Sequence, residues 1–229
     1  MKVCVTGGAG YIGSHLVSRL VELGHEIVVI DDLSNGSVIH PQTTFFSYDI
    51  RDIEHIKNAL QGTEAFFHLA ANKRATSTDN CNMISVNVDG TMAVMDIAKK
   101  VGAKKFIFSS SAAVYGPEIP IWNKDGKIYE CDSKHSTPMN IYGLSKRMGE
   151  EICQFMADES ISVNCLRYFN VWGGKYLPNN KVKSAIETFR ERKSKGESVQ
   201  IYGDGSSVRD YVHVDDVVEA NIKALTKTN

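Results

Sequence analysis

Val3-Cys4-Val5-Thr6-Gly7-Gly8-Ala9-Gly10-Tyr11-Ile12-Gly13 opens the chain, and a second apolar run, Ile27-Val28-Val29-Ile30, ends on Asp31. This order predicts a strand, a glycine turn, a helix, a second strand and an acid about 20 residues past the glycines, which is what a dinucleotide phosphate site needs. Gly7 lets the chain turn sharply off the strand, Gly10 lets a pyrophosphate approach bare backbone, and Gly13 lets the helix pack closely. The helix N-terminus then offers unpaired N–H groups and a partial positive charge to phosphates. Asp31 is placed to accept hydrogen bonds from the adenosine ribose hydroxyls, and Asp32 adds a second negative charge. Both repel a 2′-phosphate and no arginine stands beside them, so the expected cofactor is NAD rather than NADP.

Composition sets outer bounds. The 229 residues carry a formal charge of -1, 42% hydrophobic and 23% charged residues, an ordinary globular balance that argues against a nucleic-acid or membrane surface role. The first residues enter a strand directly, with no signal-peptide pattern and no apolar run of spanning length. Five scattered cysteines without a C-x-x-C pair fit reduced thiols, so a cytoplasmic location is expected. Seven histidines show no metal-ligand spacing, and no metal is expected.

Apolar runs at 2–6, 27–30, 44–47, 65–69, 105–110 and 162–168 read as strands, several of them continuous as in parallel sheets buried on both faces. Helical patterns at 10–23, 53–60, 83–101 and 141–159 lie between them, giving a doubly wound α/β (Rossmann) fold. The character changes near residue 170: loop-like glycines and prolines, a polar helix over 182–195, short strands over 199–202 and 211–214, and a helix over 215–225. The expected division is a dinucleotide-binding domain, 1–170, and the beginning of a smaller substrate lobe, 171–229.

Tyr142 and Lys146, four apart, share one helix face. Bringing a phenol from a pKa of about 10 to about 7 requires roughly 4 kcal/mol. One ammonium at about 5 Å and an effective dielectric of about 20 supplies roughly 3 kcal/mol, and a neighbouring nicotinium charge can add the rest. Ser109-Ser110-Ser111 ends the strand before this helix, where doubly wound sheets place ligands, so a serine there can hold the hydroxyl that loses its proton.

These segments occur in an order that resembles a known family: the glycine turn, Asp31-Asp32-Leu33-Ser34-Asn35-Gly36, His68-Leu69-Ala70-Ala71, Ser109-Ser110-Ser111-Ala112-Ala113-Val114-Tyr115-Gly116, Tyr142-x-x-x-Lys146, Leu166-Arg167-Tyr168-Phe169-Asn170 and Arg209-Asp210-Tyr211-Val212-His213. Together they resemble the extended short-chain dehydrogenases/reductases, the NAD-dependent epimerases and dehydratases of nucleotide sugars, and among these the UDP-glucose/UDP-galactose 4-epimerases. The resemblance implies that Tyr11 and Ile12 lie along the pyrophosphate, that Asp31 to Gly36 take the adenosine ribose, and that Asp49 and Ile50 meet the adenine. It places Leu69, Ala70, Ala71 and Lys73 along the pyrophosphate and nicotinamide ribose, supported by Asn87, and Phe169 against the nicotinamide. Ser111, Tyr142 and Lys146 are implied as the catalytic set, with Asn170, Arg209 and Asn180 holding the substrate diphosphate. His68 reads as a structural strand-end residue. A homodimer through helices 83–101 and 141–159 is implied as well.

Dehydratases and decarboxylases of this family carry an acid where this chain has Ala112-Ala113, so oxidation and re-reduction at one carbon is expected rather than elimination. The chain also stops well short of the family's usual length, and two alternatives stay open: a one-way keto-sugar reductase or dehydrogenase, and an NAD-binding protein without turnover.

Overall fold

Val3, Cys4 and Val5 have no exposed surface, because β1 (Lys2–Thr6) lies inside a parallel sheet with β2 (Glu26–Ile30) on one side and β4 (Ala65–His68) on the other. A strand covered on both faces has no solvent side, which is why its run is continuously apolar. β3 (Thr44–Phe46), β5 (Lys105–Ser111) and β6 (Ser162–Tyr168) complete six strands in the order β3-β2-β1-β4-β5-β6. The structure, a computed structural model, describes residues 1–73, 80–116, 137–174, 185–201, 203–206 and 208–226.

Successive strand side chains alternate between faces. Val3 and Val5 pack with Leu16, Val17 and Leu20 of α1 (Tyr11–Glu22) and with Val218 and Leu225 of α6 (Val214–Thr226). Cys4 faces the other layer, in the cluster with Ile53, Val94, Met95 and Cys153. That layer consists of a 3-10 segment (Ile50–Leu60), the continuous run of α2 (Asn80–Ile84), a π turn (Ser85–Asp89) and α3 (Gly90–Lys100), and α4 (Ile141–Met156). Each fully buried Leu, Val or Ile contributes about 1.5–3 kcal/mol, so the two layers and not helix propensity hold the sheet. Strand order reverses between β2-β1 and β4-β5, and the crevice at that reversal, beyond the strand C-termini, is where such sheets bind ligands.

Five expectations change. The helix over 53–60 is a 3-10 segment, and its buried Ile50, Ile53 and Ile56 recur every three residues, the period of that helix. The helix over 83–101 begins at Asn80 and contains the π turn, which holds Asn87 against the backbone of Asn72. The helix over 141–159 ends at Met156: Ala157 is extended, and Asp158 spends its carboxylate on Ser160 N–H and Lys99. Residues 199–201 form no strand, with Val199 and Ile201 exposed, because the short partner strand pairs elsewhere. It is β8 (Tyr211–His213), which runs parallel to β7 (Asn170–Trp172), a strand in a stretch read as loop. α5 (Ala185–Ser194) has no buried residue, whereas α6 packs back on α1, so the stretch after residue 170 supplies part of the layer that covers Val3 and Val5. No helix among the described residues is long and apolar enough to cross a membrane.

Candidate functional site

The glycine turn closes on itself more tightly than its spacing alone states. Gly7 has φ +73°, and a Cβ there would lie 2.5 Å from Ala70 N. A Cβ on Gly13 would lie 2.1 Å from Gly7 O, so Gly13 admits the turn itself rather than the sheet. Gly10 N-caps α1 without any side-chain cap, and the first turn of α1 carries no acid. The helix end therefore keeps N–H groups and partial positive charge for an anion, in a cavity of about 470 Å³ lined by Gly7, Gly10, Tyr11, Ile12 and Gly13. The Tyr11 hydroxyl crosses the cleft and donates to Gly173 O at 2.5 Å.

An adjoining cavity of about 320 Å³ shares Gly7, Gly10, Asn35, Leu69 and Ala71 with the first, so the two form one cleft. Its lining includes Asp31, Asp32, Ser34, Asn35, Gly36, Asp49, Ile50 and Ala70. Asp31 is buried, accepting Ala9 N–H on Oδ2 (3.0 Å) and Leu33 N–H on Oδ1 (2.9 Å). Burial holds its carboxyl above the usual range, against those two bonds. Each oxygen keeps a second lone pair for a ribose hydroxyl. Leu33 lies outside the cavity lining, exposed and at φ +59°, where it turns the loop so that Gly36 passes against Ala9. A helix end for a pyrophosphate and a buried carboxylate for a ribose, joined in one cleft, fit NAD.

At the other end of the cleft stand Lys73, Ser111, Tyr142, Lys146, Phe169 and Asn170. Ser111 hydrogen-bonds the Tyr142 hydroxyl and also accepts Ala113 N–H at 3.2 Å. Burial pushes the Tyr142 phenol up, and the Ser111 bond works the other way. Lys146 is buried, donating from Nζ to Ser109 O at 2.8 Å, with Nζ 4.9 Å from the centre of the Phe108 ring. Burial brings its pKa down to about 8. The protein alone thus favours a neutral phenol, and the expected phenolate depends on the lysine charge together with a cationic nicotinamide ring. Among the described residues lining this end there is no carboxylate, the acids of the cleft being at the adenosine end.

Asn87 lies behind the cleft, its amide clamping Asn72 N–H (2.7 Å) and C=O (2.8 Å) and donating to Ser145. Asn170 is at the cleft with its amide on Asp210 O, and Arg209 is exposed next to it, donating to Val208 O and outside the lining. Asn180 lies outside the described residues. Several participants escaped the sequence reading. Arg51 pairs with Asp49 in the adenosine half, Tyr168 links Ser109 to Asn221, and Glu150 and Arg167 form an ion pair under β5. His68 is structural, as expected: Thr91 donates onward to Asn87 O, so His68 Nε2–H donates to Thr91 and Nδ1 accepts from Thr6 at 2.6 Å. Burial, aided by the Lys146 charge, brings its pKa down to about 3.

Residues 3–229 match the model of one protein family. The chain belongs to the NAD dependent epimerase/dehydratase family. It is 34% identical over 259 residues to the UDP-glucose 4-epimerase of Bacillus subtilis, covering 99% of this chain and 73% of that one. It is 32% identical over 232 residues to a UDP-N-acetyl-alpha-D-glucosaminuronate decarboxylase of Bacillus cytotoxicus, covering 98% and 71%. The solved UDP-glucose 4-epimerase of Thermotoga maritima, with UDP-glucose, is 36% identical with a TM-score of 0.86 and covers 100% of this chain and 74% of that one. The chain spans about three quarters of the length of these relatives, and NAD is its cofactor.

Proposed function

We propose that this chain is an NAD-dependent 4-epimerase of a UDP-sugar. The observation that carries the reading is the pairing of Ser111–Tyr142–Lys146 with a cleft end that has no carboxylate among its described residues. Loss of water needs an additional acid and base at the sugar, and no carboxylate stands there among the described lining residues; removing and returning a single proton needs only one such group. When bound, NAD supplies the acceptor for the sugar C4 hydride and returns it.

The chain's residues handle the proton and the geometry. Tyr142 takes the proton of the sugar 4-hydroxyl and returns it to the 4-keto oxygen, with Ser111 holding that oxygen. The Lys146 ammonium, kept in place by Ser109 O, favours the deprotonated phenol. Asn170 and Arg209 hold the diphosphate while the keto sugar turns its other face to the ring, and Phe169 walls that end of the cleft. The protein pairs as a homodimer through α3 and α4, whose outer surfaces expose Met92, Leu144 and Phe155; sedimentation velocity at micromolar concentration measures this.

Incubation with UDP-glucose, UDP-galactose and their N-acetyl forms tests the reading. The 4-epimer is expected without net NADH. Accumulating NADH, or unchanged sugars over NAD-loaded protein, would sink it.

A further inference from the structure

Among the described residues, Glu150 is the one carboxylate side chain almost completely buried beneath the catalytic strand end, with 2% of its side chain exposed. It stands one further turn along the face that carries Tyr142 and Lys146. Its Oε1 accepts from Arg167 Nε at 2.8 Å and from the Ser110 hydroxyl, and its Oε2 accepts from Arg167 Nη2 at 2.7 Å. Parallel register places Arg167 on β6 directly beside Ser110 on β5, which is why the fork reaches the same carboxylate. The guanidinium also lies 4.8 Å from the centre of the Tyr115 ring and hydrogen-bonds that residue, and Tyr115 packs at 6.3 Å against the ring of Phe169 in the cleft.

A buried ion pair of this kind is weak evidence for stability, since apolar residues of similar volume often serve as well. Its neighbours indicate another use. The three serines at the end of β5 have separate partners: Ser109 accepts Lys146 on its carbonyl, Ser110 donates to Glu150, and Ser111 meets Tyr142. Successive side chains leave a strand on opposite faces, so Ser110 pulls toward α4 while Ser109 Oγ bonds Tyr168 on the other side. Ser110 is thus the central anchor of a segment whose two flanking residues touch the catalytic pair.

We propose that Glu150, braced by Arg167, is a positioning residue that fixes β5 through Ser110, so that Ser109 O and Ser111 Oγ hold Lys146 and Tyr142 in catalytic register. The Glu150 charge has a second effect, favouring the ammonium form of buried Lys146. The proposal rests on the epimerase reading for its kinetic arm only. A misplacement of about 1 Å at such a site costs on the order of 100-fold in rate, so the loss is expected in kcat rather than in KM.

Four proteins test it: wild type, S110A, E150Q and E150L/R167M, the last removing both charges so that neither is left buried alone. S110A and E150L/R167M are expected to lose at least about tenfold in kcat for UDP-glucose, with KM within about threefold. E150Q keeps an acceptor for Ser110 but leaves the Arg167 guanidinium without its counter-charge, so its kcat is expected to fall between those of wild type and E150L/R167M. A readout independent of turnover is the alkaline absorbance titration of Tyr142 in the NAD-loaded protein, taken as the difference from Y142F. Lys146, Lys73 and Ser111 are the groups that share its end of the cleft. Its midpoint is expected to rise in S110A. Wild-type kcat and an unmoved midpoint in S110A overturn the proposal, as does E150Q falling as far as E150L/R167M. S110A and E150Q decide the matter even if the double variant does not fold. If wild type epimerises no sugar, the epimerase reading fails while the Tyr142 titration still decides the positioning.

Discussion

The adenosine and phosphate half of the cleft is built from backbone, whereas the half around Tyr142 is built from side chains that hold one another. In the first half, an uncapped helix end, a glycine at φ +73° and two N–H bonds to Asp31 create the surface. In the second, Ser111, Tyr142, Lys146, Glu150, Arg167 and Tyr168 each depend on a partner from another strand or helix. A backbone site tolerates almost no change of shape but many changes of side chain elsewhere. A side-chain site keeps its shape when one functional atom is removed, and loses only its chemistry.

The largest expected effect separates the halves outright. Y142F removes one hydroxyl from the side-chain half, so turnover should fall by about 10³-fold while NAD affinity stays within about threefold, read by steady-state kinetics and calorimetry. Normal turnover in that variant would refute the assignment of Tyr142. G13A attacks the backbone half. Alanine is a better helix former than glycine by up to about 1 kcal/mol, yet its Cβ would sit 2.1 Å from Gly7 O. The clash should win: NAD affinity is expected to drop about 100-fold, equal to about 2.7 kcal/mol, with a lower melting temperature. Unchanged NAD binding would show that the turn is less rigid than its geometry states.

A third effect, read in stability against pH and not in turnover or binding, probes the seam between the halves. His68 is neutral and hydrogen-bonded through both ring nitrogens, with a pKa brought down to about 3. Unfolded, its pKa is about 6.5, so below that pH the unfolded chain takes a proton the native state refuses. The stability present above pH 6.5 is therefore lost as the pH falls toward 3, by up to about 1.4 kcal/mol per pH unit. H68Q should be less stable at pH 7 but show a flatter melting-temperature profile between pH 6 and 4. A slope as steep as wild type would assign the acid sensitivity to other groups.

The contrast also explains what could be read from the chain alone. Glycine spacing and apolar runs are local signals, so the strands of the main sheet, the helix after the turn and Asp31 are legible in the sequence. Tyr142 and Lys146 were legible because helical spacing links them directly. Glu150, Arg167, Tyr168 and Asn221 were not, because their partnership depends on the register of β5 against β6 and on where α6 packs. The strand expected from residue 199 is absent over 199–201 for a related reason: strand propensity needs an edge to pair with, and β8 took the edge offered by β7. Boundaries set by side-chain competition, such as the early end of α4 at Met156, were likewise hidden.

The pairing of β1 with β4 rather than with β3 bears on how the molecule comes into being. The glycine turn is synthesised within the first dozen or so residues, yet the wall opposite it, at Leu69 to Ala71, follows only after three further strands. At a ribosomal pace of about 5–20 residues per second, the emerging chain spends seconds with a phosphate-binding loop that has no facing wall, and several more before the proton-handling helix exists. Capture of the dinucleotide would thus report the arrival of β4 beside β1, making fluorescence of bound reduced coenzyme a natural clock for that step.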